Sequence, residues 1–310
     1  MVSLGCGKPE QTSQTGAAAG AKELPLVAFA QANSQDPWRQ VFDADTKAAA
    51  DQYASEFRFE EKEAQDDSAK QIAIIENFLI KKPKVLLVSP VTEAVQSAIE
   101  TAMNAGVPVI LLDRSVPGEN WTAYVGGDNL EIGRRAGRYM AERLGGKGTI
   151  LMIQGIAGAA PTRDRANGFL EVMKENPGIH VIMGDDCKYQ RNPAQTFMQN
   201  FLTSGRRFDA VYAHNDEMAI GAYLAMEAAK APKKLIVGID GCQREVIEMI
   251  KEGKLSATFK YPQPGPKAVE LAAEIVRGTM PDRKRYLLET EMVTQENADA
   301  YLAANPNLAR

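Results

Sequence analysis

The sequence has few cysteines, few histidines and no long apolar run, and each shortage removes a class of function. Three cysteines, Cys6, Cys187 and Cys242, cannot build a disulfide framework. The two histidines, His180 and His214, share no metal-ligand spacing with them, so no bound metal is expected. No window approaches the roughly 20 apolar residues of a membrane span. With 36 Lys and Arg against 40 Asp and Glu, net charge -4, there is no basic excess to hold nucleic acid. A G-x-S-x-G elbow is missing, as is a G-x-G-x-x-G after the first apolar run. Gly145-Gly-Lys-Gly-Thr149 looks like a phosphate loop but precedes a strand instead of following one. Neither catalysis nor a cofactor is expected.

What is present is a repeated pattern. The run V-P-V-I-L-L-D-R-S, Val107 to Ser115, is aliphatic up to an Asp-Arg pair, Asp113 and Arg114. Such a run reads as a buried strand of a parallel sheet. Its carboxyl end is where open α/β sheets bind ligands. Val211 to Asn215 and Leu235 to Asp240 repeat the arrangement, and helices of ordinary length alternate with the strands. Within those helices Ser68 to Gln71 reads as a capping box, and Gly106 is placed to end the helix that carries Ile99 and Met103. The chain of 310 residues, 45% hydrophobic, has room for two domains. The expectation is an α/β protein of two similar doubly wound parallel-sheet lobes. Residues 1–24, polar and without periodicity, read as a flexible tether. Leu4-Gly5-Cys6 resembles the end of a bacterial lipoprotein signal, which makes Cys6 a lipidation candidate.

Polar residues collect at the strand ends: Asp36, Trp38, Ser89, Asp113, Arg114, Asn215 and Asp240, with Arg163 and Tyr261 in matching places. Carboxylates accept from hydroxyls and the guanidinium fork donates to ring oxygens, which suits a neutral polyhydroxylated ligand. Trp38 offers a flat face for sugar C–H groups. Each residue also has a plainer reading. Asp113 and Arg114 could be a local ion pair, Asn215 a helix cap, Trp38 core, and Asp240 turn chemistry. Shared placement in both halves favours a site.

These motifs, with V-Y-A-H-N-D-E-M-A-I-G-A and I-D-G, resemble the periplasmic sugar-binding proteins of ABC importers, of the ribose- and galactose-binding type. D-P-W-R, L-L-D-R-S, Asp164-Arg165 and Y-A-H-N-D stand closest to the galactofuranose-binding members. The resemblance implies a type I periplasmic binding protein. Its two lobes, residues 25–127 with 262–290 and residues 128–261 with 291–310, would be joined by a three-strand hinge. It implies binding through Asp36, Trp38, Arg39, Ser89, Asp113, Arg114, Arg163, Asp164, Asn215, Asp240 and Tyr261. Arg39, Ser89 and Tyr261 replace an aromatic, an Asn and a Gln usual in pentose binders, so a ligand other than ribose is expected. Galactofuranose comes first, arabinose or another aldose second. Four arginines (Arg39, Arg114, Arg163, Arg165) against four aspartates (Asp36, Asp113, Asp164, Asp240) sum to zero, which points away from an anionic sugar.

The function so implied is an extracytoplasmic, monomeric solute-binding protein that delivers a monosaccharide to an ABC permease. A sensor presenting sugar to a membrane receptor is the main alternative. The effector-binding core of a transcription regulator would need an N-terminal helix-turn-helix, where only the tether stands. An enzyme of doubly wound fold lacks motif support.

Overall fold

The computed structural model describes residues 1–2 and 23–309. Its strands sort into two six-stranded sheets. The first holds β1 (Leu26–Gln31), β2 (Arg58–Glu63), β3 (Val85–Val88), β4 (Val109–Leu112), β5 (Ala123–Gly127) and β11 (Arg285–Leu288), in the order β11-β5-β4-β3-β1-β2. All its pairings are parallel. The second holds β6 (Gly148–Gln154), β7 (Ile179–Asp186), β8 (Ala210–Ala213), β9 (Leu235–Val237), β10 (Ala257–Phe259) and β12 (Met292–Thr294), in the order β12-β10-β9-β8-β6-β7. The two orders correspond strand for strand. The parallel expectation fails at one edge, where β12 runs antiparallel to β10. The chain passes between the sheets after β5, after β10, and between β11 and β12.

Alternation along the buried strands explains why helices cover both faces. In β1, Val27 and Phe29 pack toward α1 (Pro37–Asp51) and α9 (Gly265–Val276). Leu26, Ala28 and Ala30 pack toward α2 (Ser68–Ile80) and α3 (Gln96–Asn104). In β6, Ile150 and Met152 join the core under α4 (Asn129–Arg143) and α5 (Ala160–Lys174). Leu151 and Ile153 face the core of α6 (Arg191–Thr203), α7 (Asp216–Ala228) and α8 (Arg244–Lys251). The short α10 (Ala298–Ala304) closes the chain. Among the described residues no helix is long and apolar enough to cross a membrane.

Helix termini follow local chemistry, with one correction. Gly106, in the left-handed region at φ 78°, follows the end of α3 as expected. The capping box does not form. Asp67, one residue earlier, caps α2 by accepting from the Ala69 and Lys70 amides. An aspartate outcompetes a serine because its charge also complements the helix dipole. Gln71 is thereby free to turn inward. It donates to the carbonyls of Ala30 and Ser89 and accepts from the Val91 amide, tying the ends of β1 and β3 together.

Candidate functional site

The site lies between the carboxyl ends of the two sheets. Asp36 caps α1 by accepting from the Arg39 amide at 2.9 Å, which fixes the first turn and aims Trp38 and Arg39. Trp38 is 5% exposed, packs against Phe42 and Tyr261, and donates from Nε1 to the Tyr261 carbonyl. The Arg39 guanidinium donates to Gln31 Oε1, Ser89 Oγ and, at 2.5 Å, the Asp113 carboxylate. Asp113 sits just past β4 in the left-handed region, φ 63°, a strained backbone for aspartate. Its carbonyl accepts from the Tyr124 and Tyr261 hydroxyls. Arg114 donates to the Pro90 and Val91 carbonyls and lies 3.7 Å from Asp113.

The second sheet supplies the opposite wall. Arg165, on α5, donates to Asn129 Oδ1 and the His214 carbonyl, and its guanidinium lies over the Tyr261 ring at 4.8 Å. Its helix packs so closely on α4 that a Cβ at Gly133 would stand 2.3 Å from the Arg165 carbonyl. Asn215 caps α7 by accepting from the Met218 amide, and its Nδ2 donates to the Tyr189 carbonyl. It therefore satisfies the cap reading while also lining the cavity. Asp240 occupies the place in the second sheet that Asp113 occupies in the first, and it too has positive φ, 134°.

These groups enclose a cavity of about 30 Å³ lined by Asp36, Trp38, Arg39, Asp113, Arg114, Pro161, Arg165, Tyr189, Asn215, Asp240 and Tyr261. Three arginines face three aspartates, so the formal charge is zero. Burial pushes the Asp240 carboxyl well above the ordinary range, the Asp216 charge adds to it, and Arg165 opposes it. Burial also raises Asp36, against the pull of Arg39. Burial and the charge of Arg39 lower the basicity of Arg114.

Three of the expected residues do not line this cavity. Ser89 is fully enclosed behind it and holds Arg39. Arg163 and Asp164 lie on the outer side of α5, where Arg163 bonds to Asp164 and to Glu93 of the first sheet's helical layer. Pro161 and Arg165, four residues apart, share the inner face, and a helix turns Arg163 about 200° away from Arg165. The charge balance survives because Arg163 and Asp164 leave together. Cys6 lies outside the described residues. Tyr189 was not expected. It projects from two consecutive left-handed residues, Lys188 and Tyr189, at φ 56° and 60°, and its hydroxyl bonds to Thr162 at 2.6 Å. Gln65 and Asp66, both at φ 58°, repeat this turn after β2. An alignment of the two halves would have been the signal to look for.

A family model described as a periplasmic binding protein domain matches residues 27–280. The ribose import binding protein of Salmonella typhimurium is 32% identical over 237 residues, 76% of this chain and 79% of its own. The galactofuranose-binding protein of Escherichia coli is 27% identical over 295 residues, 91% of this chain and 92% of its own. Among solved structures, the fructose binding periplasmic domain of a hybrid two component system superposes with a TM-score of 0.86 at 32% identity, covering 91% of this chain and 94% of that one.

Proposed function

The chain belongs to the periplasmic binding protein domain family, and from that premise we propose that it captures a neutral monosaccharide between its two sheets for delivery to an ABC permease. One observation carries the proposal: a buried cavity, built from both sheets, whose three guanidinium groups and three carboxylates sum to zero. A carboxylate accepts from sugar hydroxyls, a guanidinium donates to ring and hydroxyl oxygens, and Trp38 and Tyr189 supply aromatic surface. An anionic ligand would call for surplus positive charge. Relatives named for ribose, galactofuranose and fructose define the range of sugars to test. Arg39 and Tyr261, where pentose binders carry other residues, favour galactofuranose ahead of arabinose and other aldoses.

The ligand-contacting set in this reading is Asp36, Trp38, Arg39, Asp113, Arg114, Arg165, Tyr189, Asn215, Asp240 and Tyr261. Residues 25–127 with 262–290 form one lobe, residues 128–261 with 291–310 the other, and the three chain passages act as the hinge. The protein works as a monomer without catalysis. Calorimetry with galactofuranose, arabinose, ribose, fructose and a sugar phosphate tests the class, and a preference for the phosphate overturns it. Solution scattering with and without the bound sugar tests the hinge through a ligand-induced decrease in radius of gyration. A membrane anchor through lipidated Cys6 rests on Leu4-Gly5-Cys6 alone. Labelling with an alkyne fatty acid, lost in Cys6→Ser, would support it.

A further inference from the structure

The two mouths of the cleft differ. On one side the lobes meet directly: the Glu93 amide donates to the Gly158 carbonyl at 3.1 Å and the Glu93 carboxylate pairs with Arg163. On the other side, among the described residues, no hydrogen bond or ion pair joins the lobes, and a groove of about 380 Å³ lies between the two lips. Gln35, Asp36 and Asp66 form one lip, Lys188, Tyr189 and Asn192 the other. Asp36 and Tyr189 line both this groove and the inner cavity, so the two spaces adjoin. The groove falls within the size range of small-molecule sites, about 300 to 1,000 Å³.

Resting on the reading of the inner cavity as a sugar site, we propose that the groove is an outer subsite for a second glycosyl unit, so that the protein takes a disaccharide with its first ring enclosed and its second between the lips. The lining chemistry is that of a carbohydrate subsite. Gln35 and Asn192 each carry an amide that both donates and accepts, and Asp66 and Lys188 provide an acceptor and a donor on facing lips. Asp66 is held in place by Asn33 Nδ2 at 2.8 Å, so its acceptor is already positioned. A ligand of one ring would leave this polar space to solvent. A closed pair of lips like the Glu93–Gly158 side would have excluded anything larger.

The test is calorimetry with galactose, arabinose and fructose beside galactobiose, arabinobiose and inulobiose. The expected result is that the disaccharide of the best-bound sugar binds within tenfold of the monosaccharide. In Asn192→Trp, which fills the groove from an exposed helix position, the disaccharide should weaken at least tenfold while the monosaccharide is unchanged. Gln35→Ala combined with Lys188→Asn, asparagine tolerating the left-handed backbone at 188, should weaken only the disaccharide, by about threefold or more. A disaccharide more than tenfold weaker than its monosaccharide, or one indifferent to the groove variants, overturns the outer subsite and leaves the inner reading standing. Absence of binding by every sugar tested overturns both.

Discussion

The Arg39 guanidinium and the Asp113 carboxylate meet at 2.5 Å with side chains only 3% and 5% exposed. The pair joins the first turn of α1 to the end of β4, so it is structural as well as positioned to meet a ligand. Removing one partner leaves the other charge buried without its nearest counter-ion, and breaking such a buried pair typically costs about 3 to 5 kcal/mol. Arg39→Met should therefore destabilise the protein strongly. Asp113→Asn, which keeps a residue suited to φ 63°, should then recover part of the loss in the double variant. Urea unfolding of the four proteins closes the cycle, and strictly additive effects would show that the two charges are not coupled.

Arg163 and Arg165 make a second contrast. Arg163 is half exposed, and its pair with Glu93 across the cleft mouth resembles a surface ion pair. Arg163→Ala should weaken sugar binding by about 0.2 to 1 kcal/mol, at most roughly fivefold, mainly through faster dissociation. Arg165, 3% exposed, lines the cavity. Arg165→Ala should cost about 2 to 5 kcal/mol of binding. Stopped-flow dissociation and calorimetry separate the two, and equal losses would contradict the assignment of the inner and outer faces of α5.

The difference between these arginines shows where sequence reading stops. Strand ends are legible because a buried parallel strand is a short apolar run that halts at a polar residue, as Leu112 to Asp113 and Ile239 to Asp240 do. Helix facing is not legible to that accuracy. A shift of two residues turns a side chain by about 200°, so the Arg163-Asp-Arg165 cluster could be recognised as important without revealing which arginine faces inward. Tyr189 escaped for another reason. Its position depends on two successive left-handed residues, Lys188 and Tyr189, and neither is the glycine or asparagine that would announce such a turn. Ser89 was correctly placed at a strand end, but its hydroxyl meets Arg39 instead of the cavity because Arg39 reaches back across β3.

Trp38 combines two roles that the sequence presents as alternatives. Its ring centroid lies 5.2 Å from that of Phe42 and 5.3 Å from that of Tyr261, its Nε1 is bonded, and the residue also lines the cavity. Trp38→Leu should lower stability by about 1 to 3 kcal/mol, less than the roughly 3 to 5 typical of aromatic truncation to alanine. It should also weaken sugar binding, because the flat face is lost. Thermal unfolding paired with calorimetry checks both, and an unchanged melting temperature would remove Trp38 from the core.

His214 and Asp216, two residues apart at the start of α7, carry opposite pH linkages. His214 is fully buried, and neither ring nitrogen has a hydrogen-bond partner among the described residues. Burial and the nearby Arg165 charge lower its pKa to about 3. Asp216 is also fully buried. Burial raises its pKa to about 7, against the bonds it accepts from Thr258 Oγ1 and the Gly241 amide. The unfolded values are about 6.5 and 3.9. Between pH 6.5 and 4 the unfolded chain holds a proton on His214 that the folded chain lacks, so this residue makes stability fall as pH drops. Over the same interval the folded chain holds a proton on Asp216 that the unfolded chain lacks, so that residue makes stability rise as pH drops. Each slope approaches about 1.4 kcal/mol per pH unit, and together they nearly cancel. His214→Phe removes the first. Relative to the unsubstituted protein, it should gain stability by up to about 1.4 kcal/mol for each unit between pH 6.5 and 4.5. Asp216→Asn should lose stability with similar steepness over that range. Urea unfolding at pH 4.5, 5.5 and 6.5 gives both slopes directly. Because the slopes are read as differences from the unsubstituted protein, the packing cost of either substitution drops out, along with the other carboxylates. Parallel profiles for all three proteins would mean that neither group changes protonation on unfolding in this range.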